Sequence, residues 1–178
     1  HNEKKISFRN YVNKFMKMPA SEKLHQQPFI LKPPYDLQKI LESDKPLLVL
    51  FEQKKCHDCD ELHNEIFKRN ETLEQITRFE VVRLDMWSNE KLIDLSGKEI
   101  SAKFFAKKLN INHSPSFVFF DKTGKDVFRI DAYLKSFHTQ SVFDYIASNA
   151  YKKQPNFQRY IAERADKLEA QVIHVDLM

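Results

Sequence analysis

The sequence predicts an α/β domain in three layers, α/β/α, with a hairpin insertion and helical extensions at the N- and C-terminal ends. Short apolar runs of strand length, Leu47–Phe51 and Phe117–Phe120, are continuous rather than alternating, as in strands buried on both faces. Between them lie stretches with apolar residues at helical spacing. The resulting order β-α-β-(hairpin)-α-β-β-α puts helices on both sides of one sheet. The size agrees: 178 residues, 42% hydrophobic and 30% charged, are enough for one buried core with extensions. The expected organisation is a basic arm over 1–34, the domain over 35–150, and a C-terminal helical extension over 151–178.

In the arm, Ile6, Phe8, Tyr11, Val12, Phe15 and Met16 fall on one helical stripe, and Pro19, Pro28, Pro33 and Pro34 break the rest of the segment. The arm is therefore expected to pack across the domain. Asp36 can cap a short helix carrying Leu37, Ile40 and Leu41. After Pro46 comes the first strand. Cys56–Asn70 reads as a helix with Leu62, Ile66 and Phe67 inward, and Phe79–Met86 as the next strand. Ser96-Gly97 divides two short apolar pieces within 91–100, which predicts a hairpin. Ser101 can cap a helix to Leu109 with Phe104, Phe105 and Leu109 inward. Ser116–Phe120 is a strand, Asp121-Lys122-Thr123-Gly124 a turn, and Asp126–Ile130 the returning strand. Residues 137–150 form a helix burying Phe137, Val142, Phe143, Ile146 and Ala150. Pro155 opens a last helix to about Ala170 with Phe157, Ile161, Ala165 and Leu168 on one face. Trp87 and most phenylalanines belong to the expected core.

Composition excludes several function classes. There are two glycines, Gly97 and Gly124, so neither a Gly-x-Gly-x-x-Gly dinucleotide loop nor a phosphate-cradling P-loop can be written. No apolar run approaches the roughly 20 residues of a membrane-spanning helix. The formal charge of +4 is uneven: seven Lys/Arg against two Asp/Glu in 1–34, and 17 against 19 in 35–150. Nucleic-acid binding domains concentrate charge more strongly, so no nucleic-acid partner is expected.

The two cysteines, Cys56 and Cys59, form a C-x-x-C at a strand-to-helix junction. The first sulfur then sits at a helix N-terminus, where free N–H groups favour a thiolate, and the second lies one turn on. Such a pair can attack, resolve and release. Lys54, Lys55 and a protonated His57 would lower the Cys56 pKa, and Asp58 would oppose them. Two alternatives stay open: a purely structural disulfide, and zinc held by Cys56, Cys59 and His63 with His57 or His113 recruited. His25, His63, His138 and His174 otherwise join no recognisable constellation. Pro115 precedes a strand, where a cis Ser114–Pro115 bond would present the Ser114 backbone to an extended peptide.

Taken together, the strand Leu47–Phe51, Cys56-His57-Asp58-Cys59 opening a helix, Ser114-Pro115 before a strand, and a hairpin into a final helix resemble the thioredoxin family over residues 36–150. Within it the chain looks most like bacterial extracytoplasmic thioredoxin-related proteins of the SoxW-like kind, through Leu50-Phe51-Glu52 ahead of the C-x-x-C. The resemblance implies that Cys56 is the nucleophile, Cys59 the resolving thiol and Pro115 the cis-proline. The chain departs from the family at the buried acid six residues before the first cysteine, where Leu50 stands. Glu52 is the candidate to replace it in proton transfer, with water as the alternative.

The expected function is thus a thiol–disulfide oxidoreductase of reductase type. Its partners would be protein thiols or disulfides and an electron-donor protein, with no metal or cofactor beyond the cysteine pair, acting as a monomer. The chain begins His1-Asn2 without an initiator methionine. A removed export segment and a periplasmic or otherwise extracytoplasmic setting are expected. The rivals are a peptide-binding or chaperone-like module in which the cysteines are secondary, and a redox sensor gating a partner through the basic arm.

Overall fold

The computed structural model describes residues 19–176; the apolar stripe Ile6–Met16 lies outside them. In chain order the elements are α1 (Leu37–Ile40), β1 (Leu47–Glu52), α2 (His57–Glu61), a π-helical turn (Leu62–Ile66), α3 (Asn70–Ile76), β2 (Glu80–Asp85), β3 (Lys91–Ile93), β4 (Glu99–Ser101), α4 (Ala102–Lys108), β5 (Ser116–Phe120), β6 (Asp126–Ile130), α5 (Ser136–Ala147), α6 (Ala150–Lys153) and α7 (Phe157–Asp176). β1, β2, β5 and β6 form one sheet in the order β2-β1-β5-β6. β1 runs parallel to β2 and antiparallel to β5, and β6 returns antiparallel to β5. β3 and β4 make the separate hairpin.

Alternation along β1 divides the core in two. Leu48 and Leu50 face a layer of Leu62, Ile66, Phe67, Ile76, Val142 and Phe143, supplied by α2 onward and by α5. Leu47, Val49 and Phe51 face Leu37, Leu92, Ala102, Phe105 and Ala106, supplied by α1, the hairpin and α4. All six residues of β1 are buried, the first five as their continuous apolar pattern requires and the sixth, Glu52, as a buried carboxylate. The free edge of β2 is partly covered by the arm, where the Leu31 N–H donates to the Val81 carbonyl at 2.9 Å. At the β5–β6 turn, Gly124 takes φ 79, the left-handed region where glycine carries no Cβ penalty.

Several local expectations are corrected. The helix expected over Cys56–Asn70 is two pieces, α2 and the π turn, the latter marked by Phe67 N–H to Leu62 carbonyl at 2.9 Å. The wider turn lets Leu62, His63 and Ile66 all face inward. α3 has no counterpart in the sequence pattern, because it buries only Thr72 and Ile76 and so lacks a clear apolar stripe. Phe104 is 56% exposed because Ala102, Phe105 and Ala106 already form the inner face of α4, and Trp87, expected in the core, is 60% exposed. Leu168 is exposed as well. α7 is held by its first two turns, where Phe157 packs on Phe128 and Tyr145, Tyr160 donates to Asp144, and Arg164 donates to the Ser141 hydroxyl. Phe137 and Ala150 are half-buried rather than buried. No helix of the described residues is long and apolar enough to cross a membrane.

Candidate active site

β1 ends at Glu52, and three residues carry the chain to Cys56. Lys55 turns it with φ 56, and Cys56 then takes extended backbone as the N-cap of α2. Its Sγ accepts the Cys59 N–H at 3.1 Å, so the sulfur occupies the place a Ser or Asp side chain takes at an ordinary helix start. Cys56 and Cys59 form a disulfide, with residue exposures of 7% and 3%, so Cys56 is the more accessible.

The β5 end closes over the sulfurs. The Ser114–Pro115 peptide is cis. The Ser114 carbonyl oxygen lies 3.6 Å from Cys56 Sγ. Its hydroxyl oxygen is 3.1 Å from Cys59 Sγ and 3.5 Å from Cys56 Sγ. Disulfide sulfurs carry no hydrogen, so the Ser114 hydroxyl is the donor. The neighbouring Ser116 hydroxyl donates to the His113 carbonyl at 2.8 Å and ties the loop to the strand start. Cys56, Cys59, Ser114 and Pro115 are therefore brought together.

His57 and Asp58 project from the outer face of α2, and both are exposed. Asp58 and Asp60 stand in its first turn, where carboxylates oppose a thiolate at Cys56. Two effects thus compete at the nucleophile, the N-cap N–H and this acidic turn.

Where the arm meets α2 and the π turn, a polar cluster forms that the sequence did not reveal. Glu52 and His63 are each 1% exposed, and His63 Nε2 stands 2.8 Å from Glu52 Oε1. The Gln27 side-chain amide donates to His63 Nδ1 at 3.1 Å, which makes Nδ1 the acceptor and puts the ring proton on Nε2, toward the carboxylate. His25 stacks on His63 with centroids 4.7 Å apart and pairs with Asp60 Oδ1 at 2.6 Å. The Ser21 N–H donates to the other Asp60 oxygen at 3.0 Å. Partial burial works against the Asp60 charge, but the His25 hydrogen bond and the Ser21 N–H prevail and hold its pKa below the usual carboxylate value. Glu52 Oε2 is buried and has no partner among the described residues.

This corrects the expectation that His25 and His63 belong to no constellation. The signal was the C-x2-C-x3-H spacing, which also suits zinc; here the imidazole turns to Glu52. Among the described residues no three His, Cys, Asp or Glu side chains converge to hold a metal ion. His113 is exposed.

The model of the thioredoxin-like domain family matches residues 33–147 of the chain. Among solved structures, a thioredoxin-fold protein from Helicobacter pylori superposes with a TM-score of 0.60 at 18% identity, over 80% of this chain and 92% of that one. A candidate disulphide isomerase from Bacteroides thetaiotaomicron gives 0.51 at 18% identity, over 72% of this chain and 95% of that one. At these identities the likeness is one of fold. None of the curated proteins matches the chain.

Proposed function

The chain belongs to the thioredoxin-like domain family, and from that premise we propose that it is a thiol–disulfide oxidoreductase that reduces protein disulfides in the periplasm or another extracytoplasmic space. The observation that carries the chemistry is the seat of Cys56. Its sulfur caps α2, accepts the Cys59 N–H, and lies against Ser114 beside Pro115. The compartment rests on the sequence resemblance.

In the reduced protein the Cys59 N–H stabilises a Cys56 thiolate. The thiolate attacks one sulfur of a substrate disulfide. A Cys56–substrate disulfide forms, the substrate bond breaks, and the departing sulfur takes up a proton. Cys59 then loses its proton and attacks Cys56 Sγ, which forms the internal disulfide and releases the second substrate sulfur as a thiol after protonation. Two electrons and two protons have passed to the substrate. A dithiol donor protein restores the pair by the same exchange in reverse, and no further cofactor is needed.

We assign Glu52 as the group that takes the Cys59 proton, directly or through a water. It is buried, one of its oxygens has no partner among the described residues, and His63 holds the other. Leu50 and Glu52 lie on one face of β1, so the acid stands one pleat nearer the C-x-x-C end of the strand than the family's usual position. Ser114 and Pro115 form the edge along which an extended substrate would lie. The reducing direction is supported by Asp58 and Asp60, which limit thiolate stabilisation; strong oxidants stabilise their reduced form.

Insulin-disulfide reduction with dithiothreitol as donor tests the activity, and Cys56→Ser should abolish it. The pair's potential should fall nearer that of thioredoxin, about −270 mV, than that of strong bacterial oxidants, about −120 mV. A value near the latter overturns the direction. Wild-type cellular function retained in Cys56→Ser would favour a peptide-binding module instead.

A further inference from the structure

We propose that the face built from Trp87, Lys103 and Lys107, between the cysteine linker and the loop that carries Ser114, selects the substrate: it docks an acidic segment carrying an apolar side chain next to the substrate's disulfide. The proposal rests on the oxidoreductase reading and names the substrate class for it.

Trp87 is 60% exposed, a large apolar side chain that the domain body leaves outside its core. Trp87 is nonetheless held in place. Its indole N–H donates to Gln53 Oε1 at 2.7 Å, and its backbone N–H to Asp85 Oδ1 at 3.0 Å. A ring fixed before binding loses little freedom on contact, which is how exposed tryptophans anchor partners.

The surroundings of the ring connect it to the chemistry. Gln53 lies in the linker from β1 to Cys56, and the Met86 N–H donates to the Glu52 carbonyl at 2.9 Å. A groove of about 230 Å³ runs from Met86 and Trp87 past Lys103 and Lys107 to Asn112, two residues short of Ser114. It begins beside the cysteine linker and ends at the loop that touches both sulfurs. A second recess that Trp87 also lines is completed by Gln53, Lys54, Asp85 and Ser88.

Charge gives the occupant its sign. Nearby Lys55 and Lys108 are ion-paired, with Glu22 at 3.4 Å and Asp94 at 3.2 Å. Among the described residues Lys54, Lys103 and Lys107 have no ion pair. Lys103 and Lys107 stand one turn apart on α4 and line the groove with Trp87. The carboxylate in these recesses, Asp85, is engaged by the Trp87 N–H. Residues 35–150 are slightly acidic, 17 basic against 19 acidic, so this basic face is a local concentration. A basic segment would meet like charge and be rejected.

The test uses reduced protein in single-turnover reactions. One substrate is a peptide with Glu-Leu-Glu beside a cysteine in mixed disulfide with 2-mercaptoethanol; the other carries Lys-Leu-Lys. The acidic peptide should react about tenfold faster at low salt, and the ratio should shrink at high salt. Lys103→Glu/Lys107→Glu should reverse the preference, while Lys68→Glu/Lys122→Glu, outside the face, should move it less than about twofold. The chain has one tryptophan. Saturable change of Trp87 emission with the acidic peptide, its cysteine replaced by serine, reads docking without chemistry. A wild-type ratio near one, or a ratio unmoved by the double reversal, overturns the docking face. Failure to reduce even hydroxyethyl disulfide overturns the oxidoreductase reading; docking by emission would then show a binding face alone, and its absence would sink both.

Discussion

His63→Leu should destabilise the protein by about 3–4 kcal/mol at neutral pH, the cost of leaving a buried carboxylate without its hydrogen-bond donor. Both side chains are 1% exposed. Glu52 Oε2 already lacks a partner, and the substitution would take the 2.8 Å contact from Oε1, leaving the carboxylate with no donor among the described residues. Leucine fills much of the imidazole volume, so a cavity contributes little. With a urea m-value of about 2 kcal/mol/M, the midpoint of the oxidised protein should fall by about 2 M. Glu52→Leu/His63→Leu removes the stranded carboxylate as well and should recover most of the loss, giving a coupling of at least about 2 kcal/mol in a double-mutant cycle. A single-variant loss under about 1 kcal/mol, or additive single effects, would refute the idea that these residues act as one buried unit.

Three further outcomes are expected. Burial opposes the charge on Asp94, but the Ser96 hydroxyl, the Lys98 and Ser96 N–H groups and Lys108 bring its pKa down to about 2. Its stabilisation is therefore full above the unfolded value near 4 and lost as pH falls through about 2: Asp94→Asn should cost about 2 kcal/mol at pH 7 and almost nothing at pH 2 in parallel denaturation curves. Cys59→Ala, expressed in the native compartment, should accumulate partner proteins linked through Cys56 and released by reductant; equal capture by Cys56→Ala, seen on non-reducing gels, would reverse the roles. Phe157→Ala should loosen α7, whose ring packs on Phe128 and Tyr145 with centroids 5.1 Å away from each, and limited proteolysis should cut α7 several-fold faster while the sheet stays protected.

What the sequence made legible was local. The continuous run in β1, the Ser96-Gly97 and Thr123-Gly124 turns, and the C-x-x-C at a strand end each carry their signal within a few residues, and each is where it was expected. α3 and the π turn were not legible, since one buries a threonine in place of an apolar residue and the other changes helical period for a single turn. The exposure of Trp87 and Phe104 was hidden for the opposite reason. An aromatic residue is usually core, and only the completed inner face of α4 shows that Phe104 has no place there.

The polar cluster around Glu52 and His63 was illegible because its members come from three parts of the chain. Glu52 ends β1, His63 and Asp60 come after Cys59, and Gln27 and His25 belong to the arm. Each residue alone has a bland explanation, and a histidine three places beyond a C-x-x-C also fits a metal site. The geometry makes them one unit. Moving the acid from position 50 to 52 keeps it on the same face of the sheet, so Leu50 can pack with Leu62 and Ile66 while the carboxylate meets His63. A carboxylate so near the strand end needs a roof to stay dry, and the arm supplies it: Gln27 fixes the imidazole, His25 covers its face, and Asp60 anchors His25 to the helix that carries the cysteines. The arm thus sets which nitrogen of His63 faces Glu52, the group proposed to take the Cys59 proton.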